Sequence, residues 1–277
     1  MPYVLIALSA VAIALVADTA PPFAGTVYVN PNIITSAEPS SLRSVTYKGR
    51  AERPFSDLDA GSTDDQNVYL FDVRFEHRIV EFEVHPEYGD QEAAREQVNI
   101  HAPSLGRLPR ALLLGANEVE ISIAADFNNF AATNNNDAGI FHVSSTAGER
   151  NLQQGWLEEL FFHEAVHVSL DNRYRRTPGW LAAQEADGRF ISDYARDHTD
   201  FEDLAETTLM WFAVRYQPDR LTSSELNAVL DTVPNRLAYL DGLNLDMAPY
   251  TLAPTSVPAL PLLDNWIDGV LQLLRRG

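Results

Sequence analysis

The segment His163-Glu164-Ala165-Val166-His167 lies inside an apolar-periodic stretch that runs from Gly155 to Leu170. Apolar residues such as Leu157 and Leu160 recur there at helical spacing, which predicts an α-helix. Residues four apart on a helix differ by about 40° in direction and about 6 Å in rise. Both imidazoles therefore leave one face of the helix and can reach one metal ion, with Glu164 beside that face.

Two histidines with an intervening glutamate are typical of zinc hydrolases. Zn²⁺ held by histidines lowers the pKa of a bound water to about 7, and the glutamate takes the proton as the water attacks a carbonyl. The pattern predicts His163 and His167 as zinc ligands and Glu164 as the general base. The alternative is that the histidines are core residues bonded to the backbone and that Glu164 is solvated, because five-residue motifs also occur by chance.

A zinc site needs a third protein ligand. Asp171 would lie about 12 Å from His163 along a continuous helix, too far to share one ion, and is predicted instead to orient a histidine through its other ring nitrogen. Glu202 and Glu206 are better candidates because they lie one turn apart on a downstream helix that can pack against the first. Glu202 also matches the spacing of a capping box with Thr199, so a capping role alone is the alternative for that residue.

Composition narrows the class of function. The chain has 277 residues, 45% of them hydrophobic, which is enough for a substantial buried core. Asp and Glu outnumber Lys and Arg by 39 to 20, and the net charge of −19 repels phosphate backbones and anionic membranes. A nucleic-acid partner is therefore not expected, and the acidity is interpreted as a solubility feature. The absence of cysteine excludes disulfides, thiolate ligands and a cysteine nucleophile.

Both ends of the chain carry apolar segments. The run from Tyr3 to Ala17 has the length of a signal-peptide core, so residues 1–20 are predicted to be a signal peptide and the protein to be secreted, either extracellular or periplasmic. An uncleaved anchor is the alternative. Residues 249–277 are predicted to form a proline-rich linker and an amphipathic helix. Asp264 and Asp268 argue against a membrane span there, so no stable membrane insertion of the mature chain is expected.

Hydrophobic alternation predicts a small sheet in the first half of the chain. Residues 21–66 are rich in Ser, Pro, Asp and Gly and are predicted to be an irregular wrapping segment, with one short strand at Gly25 to Asn30. Asp90 is expected to cap a helix that Pro103 stops near Ile100. The later predictions are strands at Asn67–Phe75, Arg78–His85, Glu118–Ala124 and Ile140–Ser145 and an exposed loop at Asn128–Asp137. The last of these strands is a candidate sheet edge for pairing with an extended peptide.

The second half of the chain is predicted to be helical almost throughout. Helix starts are indicated by Thr177-Pro178 and by a capping box of Thr222 with Glu225. The predicted fold class is α+β: a small mixed sheet with one backing helix and the metal-binding helix, followed by a mainly helical part. One domain over residues 67–248 is expected, dividing near residue 171. The remaining candidate histidines are interpreted as surface, edge or plain strand residues: His77, His85, His101 and His142.

The histidine motif is followed by Ile191-Ser192-Asp193-Tyr194-Ala195 and then by Phe201-Glu202-Asp203-Leu204-Ala205-Glu206. Together they resemble the gluzincin peptidases related to anthrax lethal factor and the Pro-Pro endopeptidases, in which an SYA-like segment and an EDFAE-like helix follow the zinc-binding helix. The resemblance covers roughly Leu157 to Tyr216. It implies a zincin-like fold and a zinc metalloendopeptidase acting on protein or peptide substrates, with Glu202 as third ligand and Tyr194 as the hydroxyl that stabilises the oxyanion.

The chain departs from the pattern of that family in two spacings. Asp171 falls one position later than the acidic residue expected after the second histidine. Tyr194 and Glu202 lie eight residues apart where seven are expected, so Glu206 stays an alternative third ligand. The segment Pro178 to Gln184 is also similar to one in a group of secreted bacterial proteins that has no assigned activity. Two other functions stay open: a zinc-stabilised binding or adhesion protein without turnover, and a zinc hydrolase acting on a cell-wall or other non-peptide amide.

Overall fold

The computed structural model describes residues 20–57, 61–123 and 130–253. Residues 1–19 of the predicted signal peptide and the whole of the predicted C-terminal helix lie outside these ranges. Within them, no helix has the length and apolar character needed to cross a membrane.

A six-stranded mixed sheet forms the first half of the described chain, as the α+β prediction expects. Its strands are β1 Leu42–Asp57, β2 Ser62–Phe75, β3 Ile79–Val84, β4 Glu118–Ser122, β5 Phe130–Thr133 and β6 Ile140–Ser144. Their order across the sheet is β1-β2-β3-β4-β6-β5. The pairs β3–β4 and β4–β6 are parallel, whereas the other neighbours are antiparallel. The predicted hairpin of the second and third strands is confirmed.

Helices flank the sheet and make up the second half of the described chain. They are α1 Gln91–Leu105, α2 Arg110–Leu113, α3 Ser145–Gln154, α4 Leu157–Val166, α5 Asn172–Tyr174, α6 Pro178–Asp187, α7 Asp193–Asp197, α8 Asp203–Tyr216, α9 Ser223–Thr232 and α10 Pro234–Gly242. Three predicted caps are confirmed: Asp90 accepts from the first turn of α1, Thr177 accepts from Trp180 N, and the capping box of Thr222 with Glu225 opens α9.

The prediction of an irregular segment over residues 21–66 is wrong from Leu42 onward, where β1 spans 16 residues and β2 begins at Ser62. A bulge between Tyr47 and Gly49 explains the error. Before the bulge, Tyr47 pairs with Phe71 of the main core; after it, Ala51 pairs with Val68 on the opposite face. An extra residue in one strand reverses which positions face inward, so the period-two pattern is lost. The strand predicted at 25–30 is also wrong, since this stretch forms turns and bends.

Two further boundaries differ from prediction. The loop predicted at 128–137 contains β5, which is a sheet edge, so β6 is an inner strand and not the predicted edge; residues 124–129 lie outside the described ranges. Helix α1 continues past Pro103 to Leu105. Ala102 and Leu105 are fully buried, and this packing of the last turn outweighs the hydrogen bond that the proline cannot donate.

The sheet is covered on both faces around its central strand β4. On the inner face, the ring of Phe161 from α4 lies 4.9 Å from that of Phe130 and 5.8 Å from that of Phe141. On the outer face, the β1–β2 hairpin folds back over the sheet, and Ser56 N donates to Glu120 Oε2 at 3.1 Å. Glu120 is 4% exposed, so β4 is buried on both sides and not half-exposed as its alternating sequence predicts.

Candidate metal centre

Helix α4 presents His163 and His167 from one face, as the i, i+4 spacing predicts. Their ring centroids are 5.0 Å apart. The helix continues through a π-helical turn, His167–Asp171, into α5. A π-turn lengthens the hydrogen-bonded ring by one residue and frees carbonyl groups. Asn134, just after β5, donates to the carbonyl oxygen of Val168 at 2.8 Å, which ties the edge strand to this turn.

Glu202 joins the two histidines in a nearly equilateral triangle of ligand atoms. Its Oε2 lies 3.1 Å from His163 Nε2 and 3.2 Å from His167 Nε2, and the two nitrogens are 3.3 Å apart. Tetrahedral zinc with ligands at 2.0–2.1 Å places them about 3.3 Å from one another. The three atoms therefore fit three corners of a zinc tetrahedron. Within the described ranges, no other set of three or more His, Asp or Glu residues comes close enough to share an ion.

The other ring nitrogen of each histidine faces a carboxylate. His167 Nδ1 lies 3.0 Å from Asp171 Oδ2, and His163 Nδ1 lies 3.3 Å from Glu206 Oε1. In the neutral form that binds a metal, a carboxylate there keeps the proton on Nδ1, so the Nε2 lone pair faces the triangle. Asp171 thus occupies the orienting position predicted for it. Of the two candidate glutamates, Glu202 reaches the triangle, while Glu206 lies behind His163.

The capping box predicted for Thr199 and Glu202 does not form. Glu202 is the residue before α8, but its side chain makes no capping bond, and Thr199 Oγ1 donates to the carbonyl oxygen of Arg196. The Glu202 carboxylate is turned towards the histidines instead. A cationic pair of imidazoles is a stronger partner than a backbone amide, because charge-assisted hydrogen bonds are roughly twice as strong as neutral ones.

The carboxylates set the protonation of the metal-free site. Burial by itself lowers the pKa of His167, but hydrogen bonds to Asp171 and Glu202 raise it to about 9. Burial likewise opposes the charge on His163, but Glu202 and Glu206 raise its pKa well above the ordinary value. Burial opposes ionisation of Glu202, yet the two histidines hold its pKa far below the usual range. Without a cation, the site therefore holds protons on its imidazoles at neutral pH.

These protonation states predict that metal affinity rises with pH. Below about pH 9 a cation must displace the proton of His167, so the apparent affinity should increase between pH 6 and 9, by up to about tenfold per pH unit for each proton displaced. Competition with a chromophoric chelator measures it. In Asp171→Asn the hydrogen bond that raises the pKa of His167 is weakened, so that pKa should fall. The metal affinity should then change less with pH over this range. An affinity that is constant over this range would contradict the prediction.

An open cleft of about 390 Å³ gives access to the triangle. Its walls come from β5 and the following turn, from α4, and from the segment that joins α7 to α8. Glu164 and Tyr194, the two predicted catalytic residues, both line it. Glu164 is 9% exposed, and burial raises its pKa. Tyr194 is 42% exposed; burial and the Glu202 carboxylate raise its pKa, which keeps the hydroxyl protonated at neutral pH.

Two histidines that the sequence placed at the surface or left as plain strand residues are buried. His101 is fully buried, which lowers its pKa to about 4, so its predicted surface position is wrong. It lies against Gly148, where a Cβ would overlap the imidazole ring. His101 continues the apolar face of Val98 and Leu105 at helical spacing, which is the signal that could have located it. His142 is held by Glu120 Oε2 at 2.7 Å and by Thr133 Oγ1 at 2.9 Å.

Glu206 has partners that no local sequence pattern indicates. Thr26 N donates to its Oε2 at 2.8 Å, across 180 residues of chain, and Ser192 Oγ donates to the same oxygen. Glu206 is 1% exposed. These two donors fix the carboxylate so that its other oxygen faces His163.

No known family, curated protein or solved structure matches this chain. Function is therefore inferred from the geometry of the site.

Proposed function

We propose that the chain is a secreted zinc-dependent peptidase with a zincin-like fold. In this proposal His163, His167 and Glu202 hold Zn²⁺, Glu164 is the general base and Tyr194 donates a hydrogen bond to the developing oxyanion. The observation that carries the proposal is the triangle of ligand atoms, whose 3.1–3.3 Å sides suit tetrahedral zinc and which opens into the cleft bordered by Glu164.

In the proposed hydrolysis, each residue around the triangle has a separate role. Bound zinc would supply a Lewis acid that polarises a carbonyl and lowers the pKa of water. Glu164 accepts a proton: burial raises its pKa, and a carboxylate with a pKa closer to neutrality is a better base at neutral pH. Tyr194 supplies a neutral hydroxyl donor, which costs little reorganisation when negative charge develops on the carbonyl oxygen.

Strand β5 supports a peptide as the substrate. It is a sheet edge of four residues, Phe130–Thr133, and all four line the cleft. An edge strand can pair with an extended chain through main-chain hydrogen bonds, which bind many sequences alike. The role that the sequence suggested for β6 therefore passes to β5. A peptide lying along β5 would pass close to the triangle, since the turn after β5 is tied to the π-turn.

Metal content is the first test. Plasma mass spectrometry should find one zinc per chain in the wild-type protein and none in His163→Ala or Glu202→Ala. His77→Ala is the matched control, because His77 is an exposed histidine far from the triangle in sequence and should leave the stoichiometry unchanged. If the wild-type protein holds no zinc after reconstitution, the histidines are structural residues and the proposal is wrong.

Cleavage assays then separate the peptidase from its alternatives. Mass spectrometry of a broad peptide pool should show new termini that depend on the bound metal. Stoichiometric zinc without cleavage would favour a zinc-stabilised binding or adhesion protein. Release of fragments from cell-wall material, with the peptide pool left intact, would favour a hydrolase of a non-peptide amide.

A further inference from the structure

Residues 22–27, here called the strap, lie against the loop that carries Tyr194. The carbonyl oxygen of Phe23 accepts from Asp193 N at 2.8 Å, and that of Ala24 accepts from Tyr194 N at 3.0 Å. Phe23 also forms a bridge with Ser192. The strap thus fixes the main chain of the segment that brings the tyrosine hydroxyl to the cleft.

The strap also reaches the carboxylate behind the metal triangle. Thr26 is fully buried; its N–H donates to Glu206 Oε2 at 2.8 Å and its hydroxyl donates to the Glu206 carbonyl oxygen at 3.3 Å. Glu206 Oε1 lies 3.3 Å from His163 Nδ1. A buried carboxylate needs donors to hold one orientation, and the N–H of Thr26 is one of the donors that turn Glu206 towards His163. The hydroxyl of Thr26 ties the strap to the main chain of the same residue.

The strap supports the site from behind. None of the described residues before β1 lines the cleft, so the strap does not block access to the triangle. After Val27 the chain makes a turn with exposed residues such as Tyr28 and Pro31, and it is anchored again where the amides of Ile33 and Ile34 donate to Glu159 Oε1 at 2.6 and 3.2 Å. The turn therefore separates the strap from a second, independent attachment.

We propose that the strap completes the metal centre and that Thr26 is a positioning residue acting through Glu206 on His163. The site has its full metal affinity only while the strap is seated, and cleavage of the exposed turn by a protease lowers that affinity. The inference rests on the proposed zinc site. It adds a means of regulation through a segment that is remote in sequence.

The test cuts the turn in protein that has already folded. A recognition sequence for a specific protease is inserted between Asn30 and Pro31, the folded protein is cut, and the released fragment is removed by gel filtration. Zinc affinity, measured by chelator competition, should fall about 10–100-fold, the usual cost of losing an outer partner of a ligand. Circular dichroism should stay unchanged, and a synthetic peptide of residues 20–30 should restore the affinity.

A matched insertion elsewhere in the chain tests whether cleavage of the backbone by itself changes the zinc affinity. The same sequence placed after Asn244, in the exposed turn that follows α10, should be cleaved without any change in affinity. In the uncut chain, Thr26→Pro removes the N–H donor and should reproduce the 10–100-fold loss, whereas Thr26→Ser keeps both donors and should not.

The outcomes are distinguishable. If the uncut protein binds zinc and cutting or Thr26→Pro leaves the affinity within twofold, the role of the strap is overturned while the proposed function stands. If the uncut wild-type protein binds no zinc, the proposed metal centre is overturned and the strap's role with it.

Discussion

Glu164→Gln is expected to lower kcat for peptide hydrolysis by about 10²–10⁴-fold, the range that a positioned general base contributes. Glutamine keeps the shape of the side chain and its place in the cleft wall, but an amide cannot accept the proton. The zinc content should remain at one per chain, because Glu164 lies outside the triangle formed by His163, His167 and Glu202. Rates at saturating concentrations of the best-cleaved peptide from the pool give kcat, and metal analysis of the same samples gives the zinc content.

Glu87→Gln is the matched control for this variant. Glu87 undergoes the same chemical change on the exposed 3₁₀ turn Pro86–Tyr88, so both rate and metal content should equal those of the wild-type protein. A Glu164→Gln protein that keeps its zinc and turns over within tenfold of the wild-type rate would show that the base lies elsewhere.

Arg236→Met is expected to lower the free energy of unfolding by about 3–5 kcal/mol, the usual cost of breaking a buried ion pair. Arg236 is fully buried; its Nε donates to Asp187 Oδ2 at 2.9 Å and its Nη1 donates to Asp203 Oδ1. Methionine fills much of the same volume but leaves both carboxylates without their cation. Because Asp203 opens α8 next to Glu202, the variant should also bind zinc more weakly. Chemical denaturation of the metal-free protein measures the stability.

Arg43→Met makes the same substitution at the surface. Arg43 pairs with Glu76 at 3.1 Å with both side chains about half exposed, so the expected cost is below about 1 kcal/mol. The deficit of Arg236→Met should also shrink as the pH falls. Burial already raises the pKa of Asp203, and without the guanidinium it rises further, so mild acid protonates the stranded carboxyl. Equal stability of the two variants at neutral pH would contradict the buried-pair argument.

Helix α4 was predictable because its information is local. Periodicity identifies α4, and the spacing of His163, His167 and Asp171 fixes which side chains share its face. Glu202 was harder to place, since the same residue satisfies the spacing of a capping box. Only the packing of α8 against α4 turns its carboxylate to the histidines. The choice between Glu202 and Glu206 is therefore a tertiary property.

The parts that escaped prediction depend on contacts between distant segments. Strand β1 was missed because its bulge at Tyr47–Gly49 breaks the alternation that identifies strands. The burial of His101 comes from a neighbour on α3. The hydrogen bond from Thr26 to Glu206 joins residues 180 positions apart, and nothing in either local sequence indicates the other. Such contacts have no periodic signature, so the sequence alone cannot supply them.

The two edges of the sheet are protected to different degrees against pairing with another chain. A long open edge invites aggregation, because its free amides and carbonyls can template a strand from a neighbouring molecule. Edge strand β1 is 16 residues long but carries the deterrents that proteins use. These are two register shifts, the proline Pro54, and cationic side chains that include Lys48, Arg50 and Arg53. Strand β5, at the opposite edge, has four residues and only alanine, phenylalanine and threonine side chains. The molecule therefore discourages self-association along its long edge, whereas β5 carries none of these deterrents and, among the described residues, no strand pairs with its outer side.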